Sequence, residues 1–269
     1  MKAKEIERSI LTNYRKTIFR PVTKAVTDYN LLNDGDKVAV CISGGKDSLV
    51  MAKCMQELQR HGKKKIECVY LVMDPGYSEV NLNNILKSTK EIGLDVEIVK
   101  TDIFAAVKNS GHKSPCYICA KMRRGHLYSA AQNLGCNKIA LGHHFDDVIE
   151  TTILSMFYNG IFNTMLPILD SDNFPGMQLI RPMYLVRESD IINFVKRHNI
   201  LCVPCNCMLK HENSKRAKVK EIIKNLKEEN DLVDYNIFKA SENVEVDYVR
   251  GIIKDKVKYN TKDFFDNYQ

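Results

Sequence analysis

The sequence predicts an α/β protein in which a parallel sheet carries helices on both faces. Short apolar runs typical of buried strands alternate along the chain with longer stretches whose apolar residues recur at helical spacing. Such alternation forms parallel sheets, because the chain must cross over the sheet before it adds the next parallel strand. The 269 residues, 44% of them hydrophobic, are enough to bury one substantial core.

The elements follow one another in chain order. Residues 5–30 are expected to form a basic amphipathic helix with a regular apolar face: Ile6, Ile10, Tyr14, Ile18 and Phe19. Buried strands are predicted at four runs: Lys37–Ile42, Ile66–Val72, Asp95–Val99 and Lys138–Leu141. Helices are predicted between them: Ser48–Gln59, Val80–Ile92 and Ile118–Leu134. The prediction divides the chain into a basic N-terminal helical segment (1–30), a central α/β domain (31–227) and a polar C-terminal appendage (228–269), either helical or loosely ordered.

The net charge of +7 is concentrated in two segments. Residues 1–25 and 207–227 each hold seven lysines and arginines against two glutamates. Basic clusters of this kind favour a polyanionic partner such as RNA, although a solvated helix face is the simpler alternative. Apolar runs approaching the ~20 residues of a membrane span do not occur, and no signal-peptide core follows the N-terminus. We therefore expect a cytoplasmic protein without a membrane partner.

The first predicted strand runs directly into SGGKDS, and a helix begins at once after it. Two glycines allow a tight turn that brings backbone amides to a phosphate, and the helix N-terminus adds further amides and a positive dipole end. An ordinary strand–turn–helix corner, the alternative, needs only one glycine and a cap. The motif is neither a Walker A loop nor G-x-G-x-x-G. The predicted ATP-binding residues are Ser43, Gly44, Gly45, Lys46, Asp47 and Ser48, with Lys46 and Asp47 also as catalytic candidates.

Polar residues also follow two other predicted strands, at the edge where a parallel sheet binds its ligands. Asp74 comes after the second strand and either contacts the nucleotide or caps a turn. Gly142 and His143 follow the fourth strand and are further ATP-binding candidates; His143 and the adjacent His144 either contact phosphate or only pack. The neighbouring Asp146–Asp147 pair can bind metal, move protons or simply cap a helix.

Nine cysteines are many for a cytosolic chain. Four are scattered along apolar segments and are expected to be small buried hydrophobes: Cys41, Cys54, Cys68 and Cys136. The other five form two groups: Cys116 and Cys119, then Cys202, Cys205 and Cys207. Two thiolates from each group suit zinc, and three suit a [4Fe–4S] cluster with one open iron, so the ligand count leaves both alternatives open. Cys202 is interpreted as structural.

The S-G-G-x-D-S pattern at residues 43–48 resembles the PP-loop of the ATP pyrophosphatase superfamily. This resemblance implies that the loop holds pyrophosphate while AMP passes to the substrate. It also implies a Mg²⁺ requirement, because metal ions neutralise phosphate charge during such a transfer. The Gly-His and Asp-Asp pairs after the fourth strand resemble a second motif of the tRNA-modifying members, and this resemblance favours Asp147 as the catalytic carboxylate.

Three longer stretches resemble the tRNA 2-thiocytidine synthetase family: CYICAKMRRGHLYSAAQNLGCNKIALGHHFDD, IRPMYLVRESDI and VPCNC. The resemblance implies ATP-dependent thiolation of cytidine 32 in tRNA and a [4Fe–4S] cluster on Cys116, Cys119 and one later cysteine. The family pattern P-C-N-x-C is one residue longer than the segment here, so Cys207 is preferred over Cys205 as third ligand. Four basic residues are assigned to tRNA phosphates: Arg123, Arg124, Lys215 and Arg216. A sulfur donor, either a cysteine desulfurase or free sulfide, and a homodimer are further implications.

Other functions remain alternatives at this point. A tRNA 2-thiouridine synthetase shares the superfamily but usually carries extra C-x-x-C zinc modules at its ends. A lysidine synthetase also adenylates cytidine but does not need paired cysteine groups. A small-molecule adenylating ligase is a more distant enzyme. A zinc-stabilised RNA-binding protein with a vestigial nucleotide site is the alternative from a different class.

Overall fold

The computed structural model describes residues 2–110, 115–203 and 214–261. Its helices are α1 (Lys2–Leu11), α2 (Arg20–Asp28), α3 (Lys46–His61), α4 (Glu79–Glu91), α5 (Ile103–Asn109), α6 (Pro115–Asn133), α7 (Phe145–Asn159), α8 (Glu188–Arg197), α9 (Lys215–Glu229) and α10 (Val233–Ala240). Its strands are β1 (Lys37–Ile42), β2 (Glu67–Asp74), β3 (Glu97–Lys100), β4 (Lys138–Ala140), β5 (Ile168–Asp170), β6 (Gln178–Ile180), β7 (Ile252–Lys254) and β8 (Val257–Tyr259).

The main sheet has the strand order β3-β2-β1-β4-β6-β5 in the described residues. All neighbours in it are parallel except β5, which runs antiparallel to β6. The register places Val38 of β1 between Cys68 of β2 and Lys138 of β4. The predicted parallel sheet is therefore confirmed. The three-residue strands β5 and β6 were not predicted, because so short a run carries little periodicity.

The two faces of β1 enter two different apolar clusters. Val38, Val40 and Ile42 belong to the larger cluster, whereas Ala39 and Cys41 belong to the smaller one with Tyr128 and Ala131 of α6. This split follows from the alternation of side chains along a strand. Helices therefore cover both faces of the sheet, as predicted.

The N-terminal segment is helical, but the prediction of one continuous helix over 5–30 is wrong. A break follows α1, and a π-helical turn spans Arg15–Phe19 before α2 begins. The Thr12 hydroxyl donates to the carbonyl of Arg8, a local bond that competes with regular helical pairing. Ile6 lies before the bend and Ile18 after it, and both are fully buried in the main core.

The C-terminal residues contain more than the expected helix or loose tail. Helix α10 packs against α7 and α9, and β7 and β8 then form an antiparallel hairpin. Asp255 and Lys256 join the two strands with φ of 51° and 67°. Such left-handed turn residues are most often Asn, Asp or Gly, so the Asp-Lys pair is a weak turn indicator in the sequence. Among the described residues, every helix is too short or too polar to cross a bilayer.

Candidate active site

The SGGKDS turn connects β1 to α3 at the C-terminal edge of the sheet. Gly44 adopts φ +82°, a conformation that side chains rarely tolerate. Gly45 occupies the N-cap of α3 and has no side chain to cap the helix. The first amides of α3 therefore face the turn, together with the positive end of the helix dipole. This is the arrangement that binds phosphate at a helix N-terminus.

Two serines close the turn on itself. The amide of Ser43 donates to Ser48 Oγ at 3.1 Å, and the two hydroxyl oxygens lie 3.2 Å apart. Ser48 Oγ donates to the carbonyl of Gly45 at 2.9 Å. These bonds hold the backbone in its bent shape before any ligand binds, which lowers the ordering cost of binding.

Two glycines in this region are needed for close contact between chain segments. A Cβ on Gly44 would lie 2.6 Å from Ile85 Cγ1. A Cβ on Gly142, after β4, would lie 3.0 Å from the backbone nitrogen of Ser48. The loop after β4 thus lies directly against the N-terminus of α3, and the predicted ATP-binding residues Gly142 and Ser48 are brought together.

Carboxylates from both strand ends surround the buried ring of His144. His144 Nε2 lies 3.7 Å from Asp47 Oδ1 and 3.5 Å from Asp147 Oδ2. Asp147 Oδ2 also accepts the amide of His144 at 3.1 Å. Asp47 Oδ1 is buried, and its partner among the described residues is Lys46 Nζ, an ion-pair contact at 3.1 Å; the lysine hydrogen bond goes to Asp47 Oδ2. The two predicted catalytic aspartates therefore lie in one polar pocket.

The neighbouring Asp146 has a different task. Its Oδ2 accepts the amide of Glu188 at 2.7 Å, so Asp146 fixes the first turn of α8. This contact supports the preference for Asp147 as the carboxylate that faces the nucleotide. It also brings Glu188, which sequence reasoning missed, to the edge of the turn.

Glu188 binds the lysine of the SGGKDS turn. Lys46 Nζ lies 3.0 Å from Glu188 Oε1 and 3.1 Å from Asp47 Oδ1, while Lys220 Nζ binds Glu188 Oε2. Burial alone would raise the pKa of Glu188, but the two lysines outweigh it and lower this pKa to about 2. Burial likewise opposes the charge of Lys46, yet Asp47 and Glu188 raise its pKa above the usual value. Only the motif IRPMYLVRESDI pointed toward this region.

His143 is held neutral by its surroundings. Burial, assisted by the Arg181 guanidinium, lowers the pKa of His143 to about 4. Arg181 Nε donates to His143 Nδ1 at 3.3 Å, which leaves the proton of the neutral ring on Nε2. Arg181 itself is nearly buried, and its guanidinium also donates to the carbonyl of Leu166. His143 thus offers an N–H donor at the edge of the site, and Arg181 is a second residue that sequence reasoning missed.

The residues predicted to bind tRNA lie in two places. Arg216, at the start of α9, contacts Asp147 Oδ1 at 3.1 Å, and Lys215 lies 4.7 Å above the ring of Tyr158. Arg123 and Arg124 lie instead on α6, half-buried and exposed respectively. The α9 pair is therefore next to the predicted catalytic carboxylate, and Arg216 partly neutralises it.

Asp74 caps a turn. Its Oδ1 accepts the amides of Gly76 and Tyr77 at 2.9 and 2.7 Å, which is one of the two alternatives expected for this residue. The Tyr77 hydroxyl in turn accepts from Arg123 at 3.5 Å. A direct contact between Asp74 and a nucleotide remains a prediction.

The cysteine groups are described only in part. Positions 116 and 119 fall in the first turns of α6, where Cys119 is half-buried, whereas Cys205 and Cys207 lie outside the described residues. The chain leading to them is fixed, because the amide of Val203 donates to the carbonyl of Gly44 at 2.9 Å. On the other side of residues 204–213, Arg216 is bound to Asp147. The described residues on either side of these positions, Val203 and Arg216, therefore both contact the predicted nucleotide site.

The four scattered cysteines behave as small hydrophobes. Cys41, Cys54 and Cys136 are buried and Cys68 is half-buried. Burial raises the pKa of Cys41 and Cys54 to about 12, so both thiols stay protonated at neutral pH. These positions fit the interpretation given to them from the sequence.

A family model for the PP-loop domain matches residues 14–207. The tRNA-cytidine(32) 2-sulfurtransferase of Geotalea uraniireducens is 36% identical over 242 residues, which cover 88% of this chain and 94% of that protein. The enzyme of the same name from Alcanivorax borkumensis is 37% identical over 243 residues, covering 88% of this chain and 84% of its own. A third, from Coxiella burnetii, is 37% identical over 234 residues, covering 85% and 90%.

Among solved structures, the fold is similar to that of the U34-tRNA thiolase NcsA from Methanococcus maripaludis with its [4Fe–4S] cluster. The TM-score is 0.71 at 22% sequence identity, with 90% of this chain and 81% of that chain covered. At this identity the likeness concerns the fold alone, and it confirms the predicted class. The sequence relatives go further. The chain belongs to the PP-loop family and, within it, to the tRNA-cytidine(32) 2-sulfurtransferase family.

Proposed function

We propose that this protein is an ATP-dependent tRNA thiolase that replaces the C2 oxygen of cytidine 32 by sulfur. The observation that carries the proposal is the bond between Val203 and Gly44, because it attaches the segment leading to the second cysteine group to the phosphate-binding turn. The 36–37% identity to enzymes of this name supports the same reaction.

The first half of the reaction needs ATP held by its outer phosphates. The oxygen at C2 of the cytosine ring attacks the α-phosphorus, the bond to the β-phosphate breaks, and pyrophosphate leaves. The amides of the SGGKDS turn and Lys46 provide the positive field in which pyrophosphate departs. Activation is needed because an amide-like oxygen is a poor leaving group, whereas AMP is a good one. One sulfide then forms the new bond at C2 and AMP is released.

Mg²⁺ fits the pocket formed by Asp47 and Asp147. The metal prefers carboxylate oxygens, and Asp47 Oδ1 is a buried oxygen whose partner among the described residues is the ion-pair contact with Lys46 Nζ at 3.1 Å. Both aspartates lie within reach of one ring nitrogen of His144, so they face the same space. An ion held there by Asp47 and Asp147 would neutralise phosphate charge when ATP is bound.

The cysteine groups supply thiolates of the kind that bind an iron–sulfur cluster. We assign Cys116, Cys119 and Cys207 as the ligands, with Cys205 as the alternative to Cys207, and a [4Fe–4S] cluster held there would carry the sulfur that is transferred. The described residues that flank the second group, Val203 and Arg216, both contact the nucleotide site. Sulfur reaches the protein from a cysteine desulfurase or from free sulfide.

The substrate RNA is held by basic residues around this edge. We assign phosphate contacts to four of them: Arg123, Arg124, Lys215 and Arg216. Each such contact strengthens binding by releasing counterions, so affinity is expected to fall steeply as salt is added.

Nucleoside mass spectrometry of tRNA tests the proposal. Deletion of the gene is expected to remove 2-thiocytidine, and the wild-type gene to restore it, whereas a copy with Asp147→Asn restores none. Purified protein with ATP and tRNA is expected to release pyrophosphate. Loss of a 2-thiouridine instead of 2-thiocytidine would assign the reaction to the uridine enzymes, and tRNA with unchanged thiolation would refute the proposal.

A further inference from the structure

A long uncharged stretch forms the second half of α7 and the chain that follows it. Residues 151–169 contain no acidic or basic side chain. Seven large apolar side chains in it are exposed, and we call five of them the apolar strip: Phe157 (58%), Tyr158 (39%), Ile161 (53%), Phe162 (49%) and Leu166 (51%). Neighbouring exposed apolar residues in such number usually mark a surface that binds a partner.

The strip begins beside the nucleotide site. The Leu166 carbonyl accepts from Arg181, whose Nε also donates to His143. Thr152 Oγ1 donates to Thr164 Oγ1 at 2.9 Å, so the chain after α7 runs back along that helix toward its beginning. The strip therefore extends from the loop of His143 along α7. The thirteen helical residues from Phe145 to Phe157 span about 20 Å.

Two cationic side chains lie next to the apolar strip. Lys215 Nζ lies 4.7 Å above the ring of Tyr158, and Arg216 donates to Thr151 Oγ1 at 3.1 Å. Both residues belong to the first turn of α9. Aromatic rings interleaved with lysine and arginine form the kind of surface that binds single-stranded RNA, because bases stack on the rings while the cations contact phosphates.

From these contacts we infer that the apolar strip binds the unpaired bases that adjoin the target nucleotide in an RNA loop. The inference rests on the proposed function, since it assumes that a tRNA base enters the site. That base must leave its stack to reach the nucleotide, and its neighbours then lose stacking as well. Phe157 and Phe162 would replace the lost stacking.

A second copy of the chain is the other occupant that an apolar surface accepts. The charges on and beside the strip favour RNA over a second copy as the occupant. Residues 151–169 hold no carboxylate to pair with Lys215, whereas a phosphate backbone supplies one negative charge per nucleotide. The strip also continues directly from the site where the base must be presented.

The double variant Phe157→Leu/Phe162→Leu tests the inference with the full-length protein. Leucine keeps the surface apolar but removes the aromatic ring. Affinity for a fluorescent anticodon stem–loop RNA, measured by anisotropy, is expected to fall about 10-fold, and Phe162→Trp is expected to retain it. Tyr248→Ala, which removes another exposed ring (87% exposed), serves as the matched control and is expected to leave the affinity unchanged.

Each outcome decides between the readings. If the wild type binds the RNA and the double variant binds it equally well, the inference is refuted while the proposed function stands. If the wild type does not bind the stem–loop, the inference is refuted, and if it does not bind whole tRNA either, the proposed function itself fails. A dimer in analytical ultracentrifugation that Phe162→Ser dissociates, with RNA affinity unchanged, would assign the strip to self-association and overturn the inference.

Discussion

The amide of Val203 donates a 2.9 Å hydrogen bond to the carbonyl of Gly44. This bond joins the end of one loop to the bent turn after β1, although the two residues are far apart in the chain. Gly44 thus has three tasks: it bends the turn at φ +82°, gives space to Ile85, and anchors the segment that leads to the second cysteine group. Five predictions follow from such contacts.

Gly44→Ala is expected to abolish ATP binding and to lower the free energy of unfolding by about 3 kcal/mol. The added Cβ would meet Ile85 Cγ1 at 2.6 Å, in addition to the cost of a left-handed backbone. Gly35→Ala is the control, because Gly35 has φ +86° but open space around its Cβ position, and about 1 kcal/mol is expected there. Urea unfolding and nucleotide titration measure both effects. Equal destabilisation of the two variants would show that the contact with Ile85 is unimportant.

Glu188→Gln is expected to raise KM for ATP roughly 10-fold with a smaller change in kcat, since a hydrogen bond between charged groups contributes on this scale. Two of the three N–H groups of the Lys46 ammonium contact Asp47 and Glu188. These two contacts fix the direction of the third N–H group, which we expect to contact ATP. Neutral glutamine no longer holds that ammonium group. Glu221→Gln on the exposed side of α9 is the control. A KM equal to or below that of the wild type would mean that Glu188 competes with ATP.

Asp147→Asn and Asp146→Asn are expected to differ strongly although the residues are adjacent. Asp147 faces His144 and Arg216, and its loss is expected to lower kcat/KM about 100-fold or more, partly reversed at high Mg²⁺. Asp146 accepts the amide of Glu188, so its change should cost about 1 kcal/mol of stability and little activity. Steady-state kinetics over a Mg²⁺ series provides the comparison. Similar kinetic losses in both variants would contradict a metal-binding role for Asp147 alone.

Acidification is expected to destabilise the protein partly through His143. Its pKa is about 4 in the folded chain, against an ordinary value of about 6.5 in the unfolded one. As pH falls from 6.5 to 4, the unfolded chain binds a proton that the folded protein does not, and stability decreases across this window. His143→Gln should therefore lose about 2 kcal/mol less than the wild type between pH 7.5 and pH 5. Parallel stability curves for the two proteins would exclude this buried neutral state.

Cys119→Ser is expected to prevent assembly of the iron–sulfur cluster, whereas Cys202→Ser should allow it. Cys202 is half-buried, and its Sγ donates to the carbonyl of Ile200 at 3.6 Å, so it serves as a structural control. Comparison of Cys205→Ser with Cys207→Ser then identifies the third ligand, and we expect the loss at Cys207. Iron content and visible absorption after anaerobic reconstitution report the outcome. A Cys119→Ser protein with full iron content would remove this thiol from the ligand set.

Much of the phosphate-binding site could be predicted from the sequence, because its physics is local. A glycine-bent turn between a buried strand and a helix presents its amides wherever it occurs, so SGGKDS alone indicated residues 43–48. The same applies to the alternation of apolar runs, which predicted the parallel sheet and β1 to the residue. The prediction of one continuous N-terminal helix was wrong, because the spacing of apolar residues does not show the break after α1, where the Thr12 hydroxyl bonds the carbonyl of Arg8.

Partners across the chain were decided only by the tertiary structure. Glu188 and Arg181 are ordinary charged residues in the sequence, and nothing in their spacing indicates that one binds Lys46 and the other holds His143 neutral. Asp146 and Asp147 cannot be distinguished by their position in the sequence. In the structure Asp146 accepts the first amide of α8, whereas Asp147 contacts Arg216. The sequence thus specified the turn whose amides are predicted to bind phosphate, because backbone amides act where they lie. Contacts between charged side chains depend on distance in space, and only folding sets that distance.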